Sequence, residues 1–195
     1  MSSGSRKKVG VLALQGDFEA HGKALARAGA EPVEVRSAAD LQELDGLVIP
    51  GGESTTMLKL LEIENLMEPL RDFGKRRPIF GTCAGAILLA NEVLNPSQAS
   101  LGLMDIGVER NAYGRQLESR IAHLRAEGQD TDLEAVFIRA PIIRRVGEDV
   151  KVLARYQGDP VLVEQGHHMV ATFHPELTTD PRVHRMFLEK IGTSS

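Results

Sequence analysis

Apolar residues along this chain alternate between two spacings. Short unbroken runs, VGVLAL (9–14), the stretch 46–50 and PIFGTCAG (78–85), have the look of strands buried on both faces, each ending in a glycine turn. Between them, DFEAHGKALARAGA places Phe18, Leu25 and Ala28 at helical spacing, with Gly29 as a stop signal. PVEVR (32–36) alternates as a strand does. Residues 55–76 read as two helices broken near Asn65, and AILLANEVL (86–94) as a further helix. After about residue 105 the pattern changes to strand-like runs joined by short turns: DIGVER, LEAVFIRA, KVLARY, PVLVEQ and HMVATF. A last helix is expected over 181–191, with Asp180 as N-cap and Pro181 at the first helical position.

Strands alternating with helices predict an α/β fold: one domain with an open, mostly parallel sheet, helices on both faces, and an antiparallel strand addition in the C-terminal half. No linker divides the 195 residues, so the domain is expected to span 9–191. Residues 1–8, MSSGSRKK, read as a disordered tail or cloning remnant and lack the apolar stretch of a signal peptide. The composition, 42% hydrophobic and 26% charged, is that of a globular chain able to bury a core without disulfides or metals. A net charge of −4 with scattered Lys and Arg argues against nucleic acid and anionic membrane as partners. No apolar run nears the roughly 20 residues a membrane span needs. The single cysteine rules out an internal disulfide and fits the cytoplasm.

That cysteine sits in Gly81-Thr82-Cys83-Ala84-Gly85, a G-x-nucleophile-x-G pattern between an apolar strand and a helix. A sharp strand-to-helix turn flanked by small residues holds its central side chain clear of the backbone, near the helix N–H groups that favour a thiolate. The plain alternative is a buried cysteine on a tight turn. Far downstream, Phe173-His174-Pro175-Glu176 supplies a base and a carboxylate two residues apart. In an extended segment both would point the same way, so Glu176 could orient His174 while the second ring nitrogen serves Cys83. His21, His123 and His184 fall in helical or loop contexts with no evident carboxylate, and His167 and His168 read as surface residues at a turn. Their spacing does not suit a metal, so none is expected. Pro50-Gly51-Gly52-Glu53-Ser54-Thr55-Thr56 lacks the lysine of a phosphate loop. Its Gly51 and Gly52 N–H groups, with that of Ala84, are candidates for an oxyanion hole. The other reading is an ordinary glycine turn, and Ser54 is a weaker nucleophile because no elbow surrounds it.

The segments VLALQGDFEAH, LVIPGGESTTM, PIFGTCAGAILLA, GLMDIGVERNAYGRQ, VFIRAPII and FHPELTTDPRVH span residues 11–184. In this order they resemble the triad-type (class I) glutamine amidotransferases, and most closely the branch that serves pyridoxal 5′-phosphate synthase in vitamin B6 biosynthesis. The resemblance implies Cys83 as nucleophile, His174 as general base and acid, and Glu176 as its orienting group. It also implies a glutamine pocket of Gly52, Glu53, Ser54, Arg110, Ile138 and Arg139. The implied reaction hydrolyses L-glutamine to glutamate and ammonia without a cofactor. The implied partner is a TIM-barrel synthase subunit in a hetero-oligomer, which receives the ammonia. Gln165-Gly166-His167-His168 is richer in histidine than that branch usually is. Rival readings are a cysteine hydrolase or peptidase of similar fold, and a non-catalytic regulatory subunit.

Overall fold

A computed structural model describes residues 4–110 and 119–193. The segment 111–118, which contains all of NAYGRQ, therefore lies outside the described residues. Seven strands form the main sheet in the order β10-β11-β12-β4-β3-β1-β2. They are β1 (Lys8–Leu12), β2 (Glu31–Val35), β3 (Gly46–Ile49), β4 (Ile79–Thr82), β10 (Lys151–Tyr156), β11 (Asp159–Gln165) and β12 (His168–Ala171). The five from β12 to β2 run parallel, and β11 and β10 extend that edge antiparallel. The expected parallel core with an antiparallel addition is thus present.

Period-two alternation divides the central strands between two cores. Leu47, Ile49, Ile79 and Val170 face one side, with Met57 and Leu61 of α2 (Ser54–Ile63) and Leu70 of α3 (Met67–Arg76). Val9, Val11, Val48, Phe80 and Met169 face the other, with Leu25 of α1 (Phe18–Ala28) and Phe187 and Ile191 of α5 (Arg182–Thr193). Strands buried on both faces cannot show a polar stripe, which is why their runs are unbroken. Each fully buried side chain of this size contributes about 1.5–3 kcal/mol.

Of the helix expected over 86–94, only residues 86–89 are helical. They belong to α4 (Ala84–Leu89); Ala90 turns extended, and β5 (Ala90–Leu94) pairs in parallel with β6 (Met104–Glu109). Cross-strand pairing overrides the helical spacing of this short apolar run. β6 also pairs antiparallel with β9 (Ile142–Val146), and β7 (Arg120–Leu124) with β8 (Leu133–Phe137), so two small sheets accompany the large one. Before α5, Asp180 accepts the Arg182 amide hydrogen bond at 3.0 Å, as a cap should. The Arg182 guanidinium then spans Asp180 and the carbonyls of Thr131 and Asp132, tying α5 to the β7–β8 turn.

Candidate active site

Four adjacent parallel strands, β12, β4, β3 and β1, end on the same edge of the sheet. Ligand crevices in open α/β folds lie outside such carboxyl ends, beside the point where strand order reverses, here between β3 and β1. Each strand delivers one part of a cleft of about 380 Å³. Gly16 and Asp17 follow β1, Gly51 and Gly52 follow β3, Cys83 follows β4, His174 follows β12, and Ile138 and Arg139 complete the wall from beyond β8. A larger groove of about 500 Å³ between Leu41 and Phe73 is lined by no cysteine or histidine, so the smaller cleft, with Cys83 beside His174, is the candidate for covalent chemistry.

Cys83 has φ 50° and ψ −106°, a strained conformation for a residue with a Cβ. Its N–H donates to the Ala171 carbonyl at 2.9 Å, which locks the elbow onto the end of β12. The turn can be this tight because Gly85 lies against the Ile49 carbonyl, where any Cβ would collide with backbone. Ala84, buried at the start of α4, has an N–H with no acceptor inside its own helix.

His174 is buried, and its Nδ1 stands 2.6 Å from Glu176 Oε1. The route to that contact differs from the extended segment expected. His174 has φ −108° and ψ 87°, and Pro175–Leu177 forms a 3₁₀ turn that brings Glu176 back to the ring. The His174 N–H donates to Val136 O at 2.8 Å, so β8 fixes the backbone from below. Burial by itself disfavours the imidazolium; contact with Cys83 and Glu176 outweighs it and pushes His174 up to about 10. The Cys83 Sγ also lies 4.0 Å from the Ile138 carbonyl, to which the thiol can donate.

Gly51 packs against both partners: a Cβ there would lie 2.7 Å from His174 Cε1 and 3.3 Å from Cys83 Cβ. Beside it the Glu53 N–H donates to Gln15 Oε1 at 3.2 Å, joining the ends of β1 and β3. The remaining residues expected in a glutamine pocket are placed less uniformly. Ile138 and Arg139 line the cleft, Arg139 with φ 45°. Glu53 instead caps α2, accepting from the Thr55 and Thr56 amides at 3.1 and 2.7 Å. Burial opposes its ionisation, but the hydrogen bonds from Thr56 and Thr55 prevail and hold it at about 2. Ser54 is buried and bonds Gln98 at 3.4 Å, and Arg110 donates to Thr55 Oγ1 at 2.6 Å, 3.6 Å from Glu53. None of these three lines the cleft, whereas Gly16 and Asp17, not foreseen as site residues, do.

The histidines also require correction. His168 is a buried strand residue, not a surface one: its Nδ1 accepts the Ile79 N–H at 3.1 Å, and His167 Nε2 meets Gly74 O at 2.8 Å. His123 lies on strand β7. His21 does have a carboxylate neighbour, Glu176, contributed by a segment more than 150 residues away in sequence. Among the described residues no group of three or more His, Cys, Asp or Glu could hold a metal ion, and no helix is long and apolar enough to cross a membrane.

Residues 11–193 match the SNO glutamine amidotransferase family. The pyridoxal 5′-phosphate synthase subunit PdxT of Solibacter usitatus is 63% identical over 191 residues, covering 95% of this chain and all of that one. The subunit of the same name from Koribacter versatilis is 55% identical over 94% of this chain and 95% of its own. A crystal structure of a glutamine amidotransferase superposes with a TM-score of 0.89 at 51% identity, covering 95% of this chain and 99% of that one. With its fold, its strand-end cleft and this likeness over nearly the whole length, the chain belongs to the SNO glutamine amidotransferase family.

Proposed function

We propose that this chain is the glutaminase subunit of a pyridoxal 5′-phosphate synthase, working through Cys83, His174 and Glu176 and passing ammonia to a TIM-barrel synthase subunit in the cytoplasm. The observation that carries this reading is the convergence of a strained cysteine elbow with a buried, carboxylate-oriented histidine at one cleft.

In the Cys83–His174 pair the thiol proton rests on His174, which its contacts with Cys83 and Glu176 hold as imidazolium, and the thiolate attacks the side-chain amide carbon of glutamine. The Ala84 and Gly51-Gly52 N–H groups are the candidate donors to the oxyanion; losing one such donor costs about 100- to 1,000-fold. His174 returns the proton to the departing nitrogen, which leaves as ammonia from a γ-glutamyl thioester. Water, deprotonated by His174, attacks the thioester carbon and restores the thiol as glutamate departs. The Arg139 guanidinium on the rim suits the substrate α-carboxylate. Arg110 and Glu53 support the pocket wall by holding each other and the start of α2, and Ser54 does so through Gln98. Ammonia protonates in bulk water and loses its nucleophilicity, so direct delivery to a partner is chemically favoured.

Gly52, with φ 147°, lets the peptide beside the cleft reorient, which supports activation on docking, when the oxyanion donors would come into line with the transition state. The test is glutamate release by wild type and Cys83→Ala, each with and without saturating synthase subunit. The expected result is loss of all activity in Cys83→Ala with synthase binding kept. For wild type, a rise in kcat/KM of about tenfold or more is expected on adding the synthase. Residual turnover in Cys83→Ala would refute the nucleophile. A change below about threefold in wild type would refute the coupling and leave the triad intact.

A further inference from the structure

Behind the triad, away from the cleft, lies a second set of polar groups with no exposure to water. His21 on α1 and His184 on α5 are both fully buried, and their facing nitrogens, Nδ1 and Nε2, are 2.9 Å apart. On its other side His21 Nε2 lies 3.0 Å from Thr82 Oγ1 and 3.3 Å from Glu176 Oε2. That oxygen is the one His174 does not use. It is buried and accepts no hydrogen bond among the described residues, and His21 Nε2 is the polar nitrogen that stands beside it. The His21 contact is itself better aligned on Thr82 than on the carboxylate.

The arrangement selects one tautomer. Burial first, then the charges of His184 and His174, hold His21 well below its ordinary pKa, so the ring is neutral and carries one N–H. Were that proton on Nδ1, it would donate to His184 Nε2, the proton on His184 Nδ1 would be left buried without a partner, and the bare Nε2 of His21 would face a carboxylate oxygen with only the Thr82 hydroxyl to donate to it. With the proton on Nε2, the N–H donates to Thr82 and stands 3.3 Å from Glu176 Oε2. Nδ1 then accepts from His184 Nε2–H, and the lone pair of His184 Nδ1 is left over. That atom is indeed buried without a partner among the described residues. An unmatched acceptor is the more tolerable remainder, because orphaned buried N–H groups are rarer than under-satisfied acceptors.

We propose that His21 is a positioning residue of the active site: its Nε2–H, aimed by His184 and shared with Thr82, caps the second oxygen of Glu176 and fixes the carboxylate that orients His174. The proposal rests on the glutaminase reading above. Donation runs in one direction, from His184 through His21 towards Thr82, and the same N–H stands 3.3 Å from the second oxygen of Glu176. Helices α1 and α5, which touch no part of the cleft through these residues, thereby set the angle of the catalytic imidazole.

The test uses the full chain with saturating synthase subunit. His21→Met fills the space without a donor, and His21→Gln restores an amide N–H near the position of Nε2. For His21→Met, kcat should fall about tenfold to 100-fold, the range seen when a supporting hydrogen bond to a site group is lost. Its KM for glutamine should stay within about twofold, because no substrate contact is removed. His21→Gln should recover kcat to within about threefold of wild type. In a Glu176→Gln background the His21→Met loss should shrink below about threefold, because the two act as one unit. Independently, ¹⁵N correlation spectra of the wild type should show His21 protonated at Nε2. That measurement stands even if His21→Met does not fold. Full multiplicative loss in the double variant, an equal loss in folded His21→Gln, or a proton on Nδ1 would each overturn the proposal. A wild type without glutaminase activity would instead overturn the functional reading, and the spectra would still judge the geometry.

Discussion

Replacing Gly51 with alanine adds one methyl group at the most crowded point of the cleft. The backbone there needs no glycine, since its φ is not left-handed; the space does. Carbon atoms rest about 3.5–4.0 Å apart, so a Cβ 2.7 Å from His174 Cε1 demands about 1 Å of movement. Cys83 blocks retreat on one side, with its Cβ 3.3 Å from the new methyl. On the other side the 2.6 Å bond to Glu176 anchors the ring. The imidazole must therefore leave its place relative to the sulfur, and a misplacement of this size costs about 100-fold in rate. That corresponds to roughly 2.7 kcal/mol of transition-state stabilisation. Overpacking should also lower stability by about 1–3 kcal/mol, which leaves the protein folded at assay temperature. The assay is kcat/KM for glutamine with saturating synthase, alongside thermal unfolding and the rate of Cys83 labelling by a glutamine-like electrophile. A folded Gly51→Ala variant within threefold of wild type would show that Gly51 does not confine His174 and would refute the reasoning.

His174→Asn should be nearly as inactive as Cys83→Ala, and Glu176→Gln less impaired, because the base joins every proton transfer while the carboxylate only orients it. Steady-state glutamate release ranks the three, and equal activity of wild type and His174→Asn would remove His174 from the mechanism. Stability should fall in mild acid: burial first, and then the charge of His167, holds His168 at about 4, and burial and Arg27 do the same to His184. Unfolded histidine titrates near 6.5, so the unfolded chain binds more protons between about pH 6.5 and 4; the stabilisation is complete above that window and lost as pH falls through it, roughly 3 kcal/mol for each site. His174 has the opposite sign, stabilising the fold below pH 6.5 and losing that effect as pH rises towards about 10. Urea midpoints from pH 8 to 4 should fall more steeply for wild type than for His168→Gln, and parallel curves would contradict the assignment.

Much of this was legible in the sequence because it depends on neighbours along the chain. Cys83 and His174 announce themselves through Gly81, Gly85 and Pro175, and the double burial of β1, β3 and β4 through unbroken apolar runs. What stayed hidden depends on partners far away. β5 read as helix because the pairing that makes it extended comes from β6. β7 and β9 have three exposed or half-exposed positions each and little alternation to betray them. His168 looked like a surface residue because the Ile79 N–H it serves belongs to another strand. His21 seemed to lack a carboxylate for the same reason, and Gly16 and Asp17 gave no chemical signal, their place being set by where β1 ends. Family membership separates a glutamine-directed enzyme from a peptidase, a distinction that side-chain geometry alone leaves open.

The place of β12 in the sheet has a consequence for how the protein is made. β4 leads directly into Cys83, the proposed nucleophile, yet one of its edges is covered only by β12, some 89 residues later in the chain. At synthesis rates of about 5–20 residues per second, that edge waits roughly 4–18 seconds for its neighbour. During the wait an apolar strand with unpaired N–H and C=O groups is open to other nascent chains. His174 and Glu176 follow β12 in the chain, so the cysteine meets its proposed partners only with the strand that seals this edge.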